Sequence, residues 1–152
     1  MEIKVEGKNK KYSELLKECY CGISSDLTTF LLFKYEYILF YKDDRSFSLN
    51  MNKISNDSLA HIDILGKLIC LLGEKPEIIP NAYIDHFFYN DKKTLLETNI
   101  RLIKEKIILY TKTLNRISDT YIKDILENFI VEEIRNLRIL EILQLKNKTS
   151  KL

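Results

Sequence analysis

The stretch Leu114-Asn115-Arg116-Ile117-Ser118-Asp119-Thr120-Tyr121-Ile122 decides the fold. Before it, Leu96, Ile100, Ile103, Ile107, Tyr110, Leu114 and Ile117 recur in steps of three and four, the mark of one face of a helix from about 92 to 117. After it, Ile122, Leu126, Phe129, Glu133, Asn136, Leu140 and Leu143 continue the same rhythm from about 119 to 145. Ser118 and Asp119 offer side-chain acceptors that start the second of these helices. With a residue or two between them, the two helices have to fold back on each other as a tight antiparallel hairpin.

The N-terminal half repeats the plan. A first segment from about 13 to 41 carries the seam Cys19, Ile23, Asp26, Phe30, Phe33, Tyr37 and Phe40. A second, from about 49 to 72, carries Ile54, Ser58, His61, Leu65, Leu68 and Leu72. Asp43-Asp44-Arg45-Ser46 interrupts this pair, and Gly73 with Pro76 stops the second segment. Asn90-Asp91 caps the third helix, so the connection from Gly73 to Asp91, which contains Pro80, is long enough to cross the bundle. Two hairpins joined by one long crossover make an all-α, ferritin-like four-helix bundle, expected as a single domain over 1–152 with a helical core at 13–145.

Composition agrees. The chain has 152 residues with four Gly, two Pro and no Trp, too few turn-formers for a sandwich or barrel. Lys and Arg number 24 against 22 Asp and Glu, a balance that argues against a nucleic-acid or anionic-membrane partner. The short runs Lys8-Asn9-Lys10-Lys11 and Lys146, Lys148, Lys151 read as solvated termini. MEIKVEGKNKK has no hydrophobic signal region and no window is long and apolar enough for a span, so the expected location is the cytoplasm. Cys19, Cys21 and Cys70 lack the spacing of a redox or zinc motif and read as buried free thiols.

Three of the four seams carry polar groups at mid-helix: Asp26, Ser58 with His61, and Glu133 with Asn136. Isolated buried carboxylates are costly, so such groups persist when paired, hydrogen-bonded or bound to a metal. Two accounts fit: mutual hydrogen bonding that sets helix register, or a site. Tyr35, Tyr37, Tyr41 and Tyr110 read as packing residues with wet hydroxyls, and His86 as part of an aromatic cluster with Phe87, Phe88 and Tyr89.

The phrases Cys21-Gly22-Ile23-Ser24-Ser25-Asp26-Leu27-Thr28-Thr29, Ala60-His61-Ile62-Asp63-Ile64-Leu65-Gly66, Leu71-Leu72-Gly73-Glu74-Lys75-Pro76, Asn99 through Tyr110, and Val131-Glu132-Glu133 are spread, in order, across most of the span 13–145. On these residues the chain resembles the ferritin-like di-metal carboxylate superfamily, closest to its rubrerythrin-like and manganese-catalase-like bacterial branch. The resemblance implies a dinuclear site with one Glu from each of two helices and a Glu-x-x-His pair from each of the others. Mapped onto it, Asp26 stands for the first Glu, Ser58 and His61 for one pair, Ile103 for the next Glu, and Glu133 and Asn136 for the last pair. Glu105 and Glu132 are expected to point elsewhere.

The implied metal centre is therefore eroded. One position has lost its ligands; the other keeps Asp26, His61 and Glu133 as a residual metal set, sufficient for one Fe, Mn or Zn ion at low occupancy. No catalytic residue and no other cofactor is assigned. The expected function is a non-catalytic structural or interaction protein forming a homodimer or larger homo-oligomer. The alternative is a metal-binding oxidoreductase acting on peroxide or oxygen through the residual mononuclear site.

Overall fold

The computed structural model describes residues 2–78 and 91–149, and the described residues form five helices. They are α1 (Lys10–Cys21), α2 (Asp26–Leu39), α3 (Arg45–Leu71), α4 (Lys92–Asn115) and α5 (Thr120–Thr149). Helix α2 packs along α3, α4 along α5, and α1 continues the line of α2 against α3 and α4. Asn9 N–H donates to Leu72 O at 3.1 Å and Tyr12 Oη meets Ser118 Oγ at 2.8 Å, so the α3 end and the α4–α5 turn share one pole of the bundle. At the opposite pole the start of α4 meets the α2–α3 turn, where Lys92 pairs with Asp44. Helices α3 and α4 thus run parallel, the end of α3 and the start of α4 lying at opposite poles. This is the ferritin-like arrangement of two hairpins and a crossover. Pro80, His86, Phe87, Phe88 and Tyr89 lie outside the described residues.

The expected first helix is two. At Gly22 the last N–H of α1 donates to Glu18 O at 3.0 Å, and a Cβ at Gly22 would lie 2.6 Å from that carbonyl oxygen. Ser25 then caps α2, accepting from Thr28 N–H at 3.2 Å. The break re-phases the seam: Ile23, expected inside, is 52% exposed, while Thr29, Leu32, Phe33 and Glu36 carry the buried face of α2. It also puts Asp26 in the first turn of a helix, where the unpaired amide dipoles favour a carboxylate.

The other boundaries follow the caps. Asp44 caps α3 by accepting from Phe47 N–H at 3.1 Å, so that helix starts ahead of the expected Leu49. Gly73, at φ 97°, takes the left-handed conformation that ends α3. The N-terminal basic run is ordered: Asn9 caps α1 and Lys10 and Lys11 open it. Ile3 and Val5 pack against the core, and Glu6 N–H donates to Asp119 Oδ2 at 2.7 Å.

Asp119 is thereby doubly used, because its Oδ1 also accepts from the amides of Tyr121 and Ile122 at 3.0 and 3.2 Å. Asp119→Ala removes both the cap of α5 and the anchor of the N-terminal strap. The expected loss is about 1–2 kcal/mol, read as a lower urea midpoint with little change in m-value.

Two apolar clusters fill the bundle. The one nearer the α4–α5 turn includes Leu16, Cys19, Leu65, Leu68, Ile122 and Leu126; the other includes Phe33, Met51, Ile54, Leu96, Ile103 and Leu140. Helices α3, α4 and α5 each contribute buried residues to both clusters, α1 to the first and α2 to the second, and a polar layer lies between them. Among the described residues no helix is long and apolar enough to cross a membrane.

Candidate metal centre

The layer is built by α2, α3, α4 and α5 together. Helix α2 supplies Asp26 and Thr29, α3 supplies Ser58 and His61, α4 supplies Lys106 and Tyr110, and α5 supplies Glu133; all are buried. Asp26, His61 and Glu133, the three residues expected to remain of the metal set, converge, with one ligand atom from each lying within 4.8 Å of the others. His61 Nδ1 is 3.1 Å from Asp26 Oδ1 and 3.6 Å from Glu133 Oε1.

At the middle of the group sits a residue absent from the sequence reading. Lys106 Nζ lies 2.8 Å from Asp26 Oδ1 and 2.8 Å from Glu133 Oε1, and it donates to Thr29 Oγ1 at 3.0 Å and Ser58 Oγ at 3.1 Å. Its side chain is wholly buried, and its four partners come from three other helices. The seam drawn through Ile100, Ile107 and Leu114 runs along one flank of α4. The central line is Asn99, Ile103, Lys106, Tyr110 and Thr113, all buried, so the signal was a lysine three residues after one core position and four before another.

Tyr110 is also not as expected. Its hydroxyl is buried rather than wet and donates to Asp26 Oδ2. Tyr35 and Tyr37 are half-buried and Tyr41 is exposed, the last under the Arg45 guanidinium at 4.4 Å. Glu132 reaches the group after all: its Oε2 lies 2.5 Å from His61 Nε2. The imidazole stacks on Phe129 with centroids 3.8 Å apart, and its outer edge faces a surface cleft of about 360 Å³ between α3 and α5. Asn136, expected with Glu133, turns away; its Oδ1 accepts from Lys53 at 2.7 Å and its Nδ2 donates to Asp57 at 3.2 Å. Glu105, as expected, is elsewhere, accepting from Ser24 Oγ at 2.9 Å.

The electrostatics are those of a closed ion-pair cluster. Burial pushes the Asp26 carboxyl up, but the Lys106 ammonium and His61 outweigh it and hold it below the usual carboxylate range. Burial opposes charge on His61 too, yet Asp26 and Glu132 raise it to about 9. Lys106 likewise loses to burial and gains more from Asp26 and Glu133, ending above an ordinary lysine. Burial, then the nearby carboxylates, push the Tyr110 phenol well up, so it remains a donor.

These residues do not fit a di-metal centre. Ile103, at the expected Glu position, is a wholly buried aliphatic, and Asn136 faces another way. They fit a single ion only in residue type, because a cationic nitrogen already lies between the two buried carboxylates.

The cysteines play no part in the group. Cys19 meets Thr113 Oγ1 at 3.5 Å and burial raises its thiol to about 12, so it is an inert core residue. Cys21, two residues further on, is buried as well, whereas Cys70, expected inside, is exposed in a cleft of about 630 Å³ with Ile3, Tyr20, Ile62 and Pro76. A second buried polar pair lies in the far cluster. Asn99 Nδ2 donates to both carboxyl oxygens of Glu36, at 3.1 and 2.9 Å, and burial raises the Glu36 carboxyl to about 8 against that hydrogen bond.

Helices in this order, two hairpins with parallel second and third long helices, define the all-α ferritin-like fold. No protein-family model matches the sequence, and no curated protein matches it. Among solved structures, the chain is similar to KatB, a manganese catalase from Anabaena PCC7120. The TM-score is 0.80 at 18% sequence identity, over 92% of this chain and 74% of that one. A structure of wild-type KatB from Anabaena gives the same values. At that identity the likeness establishes the fold.

Proposed function

We propose that this protein is a non-catalytic structural or interaction protein, a ferritin-like bundle whose di-metal centre has given way to an internal ion-pair cluster. The carrying observation is Lys106, whose ammonium lies 2.8 Å from each of the two buried carboxylates a metal would need. The same ammonium also donates to the hydroxyls of Thr29 and Ser58, and Tyr110 donates to Asp26, so these oxygens are already engaged within the cluster. Its three unpaired cysteines suit a reducing cytoplasm.

Association with further copies belongs to the same reading. Val131, Ile134, Ile142 and Leu145 are exposed on α5 at spacings that share one outward stripe. Light scattering of the purified protein should give at least a dimer; a monomer at high concentration removes this part.

The second reading, a mononuclear oxidoreductase, is favoured by the convergence of Asp26, His61 and Glu133. Peroxide consumption separates the two. After incubation with Mn, Fe or Zn salts and desalting, the protein is expected to decompose hydrogen peroxide no faster than the same desalted buffer. Turnover that tracks bound metal and disappears in His61→Ala would overturn the non-catalytic reading.

A further inference from the structure

We infer that Lys106 is a resident cation: its ammonium occupies the position of one metal ion, so the centre is complete without metal and is closed to it. The inference rests on the proposed function's view of the centre as an ion-pair cluster, and extends it to what the ligands do when the ammonium is gone.

The argument is one of coordination. An ammonium has three donors, and around Lys106 Nζ stand four oxygens at 2.8 to 3.1 Å: two carboxylate, from Asp26 and Glu133, and two hydroxyl, from Thr29 and Ser58. Metal–oxygen and metal–imidazole bonds are about 2.0–2.2 Å, so a divalent ion would draw the same groups in by less than about 1 Å each. His61 Nδ1, 3.1 Å from Asp26 Oδ1, would supply the nitrogen, and Glu132 on the far side of the ring would hold the imidazole in place. Two carboxylates, an imidazole and a water make a donor set suited to Zn, Mn or Fe.

Glu133 supplies a second, independent observation. Its Oε2 is buried and has no hydrogen-bond partner among the described residues, and its Oε1 is engaged through the Lys106 ion pair. A buried carboxylate with an oxygen left over is a ligand whose capacity the ammonium does not exhaust.

The test compares Lys106→Met with the double variant Lys106→Met/Glu133→Gln, both purified with and without metal and analysed for bound metal by elemental analysis. The wild type should hold only traces of Zn, Mn or Fe after desalting. Lys106→Met should take up about one ion per chain, and its thermal midpoint should rise on adding metal while that of the wild type stays unchanged. Cobalt(II) should give the visible bands of a low-coordinate N/O site in the single variant alone. The double variant, having lost one carboxylate with the lysine, should fold and hold only traces. A Lys106→Met protein recovered folded only with metal present also supports the inference. It is overturned if the wild type itself binds an ion stoichiometrically, or if the double variant binds as much as the single one. It is equally overturned if Lys106→Met stays metal-free or is not rescued by any of the ions. A wild type that binds metal but leaves peroxide untouched would sink this inference, and with it the ion-pair account of the centre, while the non-catalytic reading stands.

Discussion

Glu36→Gln is expected to stabilise the protein above pH 8, an unusual direction for a substitution in a fully buried position. Glu36 is 0% exposed, and among the described residues its hydrogen-bond partner is the Asn99 amide, with no cation paired to it. Burial lifts its carboxyl from an ordinary 4.5 to about 8. The sign follows from linkage. Between these two values the unfolded chain has released the proton and the folded protein still holds it, so stability falls as pH rises through this window and levels off above about 8. At one pKa unit per about 1.4 kcal/mol, the full penalty is of order 5 kcal/mol.

Glutamine has the same shape and no charge to bury. Its carbonyl keeps a hydrogen bond from Asn99 Nδ2, and Asn99 Oδ1, buried and without a hydrogen-bond partner among the described residues, is the acceptor the new amide meets once the Asn99 amide turns. Urea unfolding at pH 5, 7 and 9 should show the variant close to the wild type at the lowest pH. It should then become progressively more stable than the wild type, by several kcal/mol at the highest. A variant less stable at pH 9 would mean that the Glu36 carboxylate is held there by a cation.

How much of this could be read beforehand depended on what kind of signal each residue carries. The helix order, the α4–α5 hairpin and the long crossover were legible because apolar periodicity and capping residues such as Asp91 and Asp119 report local geometry directly. Asp26, His61 and Glu133 were legible because a polar side chain stands out in an apolar row. Lys106, Glu36 and Asn99 were missed for the opposite reason. A lysine or glutamate on an amphipathic helix is ordinarily outside, and a seam drawn half a residue to one side leaves them there. The break at Gly22–Ser25 was missed because Ile23 fits an unbroken repeat; the hydroxyl of Ser25 decides otherwise by capping a new helix. Glu132 shows the limit of face arithmetic. Adjacent to a core residue and rotated away from it, its side chain is long enough to bend back to the edge of the His61 ring.

Asp26→Asn should be the most damaging conservative substitution in the molecule. The carboxylate holds Lys106 at 2.8 Å and His61 at 3.1 Å and accepts from Tyr110, all in full burial and at the first turn of α2. An amide of the same size keeps one acceptor, turns a donor toward groups that are themselves donors, and leaves the ammonium with one carboxylate. Breaking a buried ion pair by removing one partner costs about 3–5 kcal/mol, because the other charge remains where water cannot reach it. For a domain of this size that corresponds to a thermal midpoint lower by about 10 °C. Because Lys106 and His61 hold the folded-state Asp26 below the ordinary carboxylate range, its contribution is complete above that range and is lost as pH falls through the folded value. The gap between variant and wild type should therefore be full at pH 7 and narrow in acid. Lys106→Met, measured in chelator, should cost a similar amount, and the double variant Asp26→Asn/Lys106→Met much less than the sum, since it removes the charge that either single change strands. Strict additivity in that cycle would mean that the two residues do not feel each other. Lys106 would then be a packed side chain rather than the cation that closes the centre.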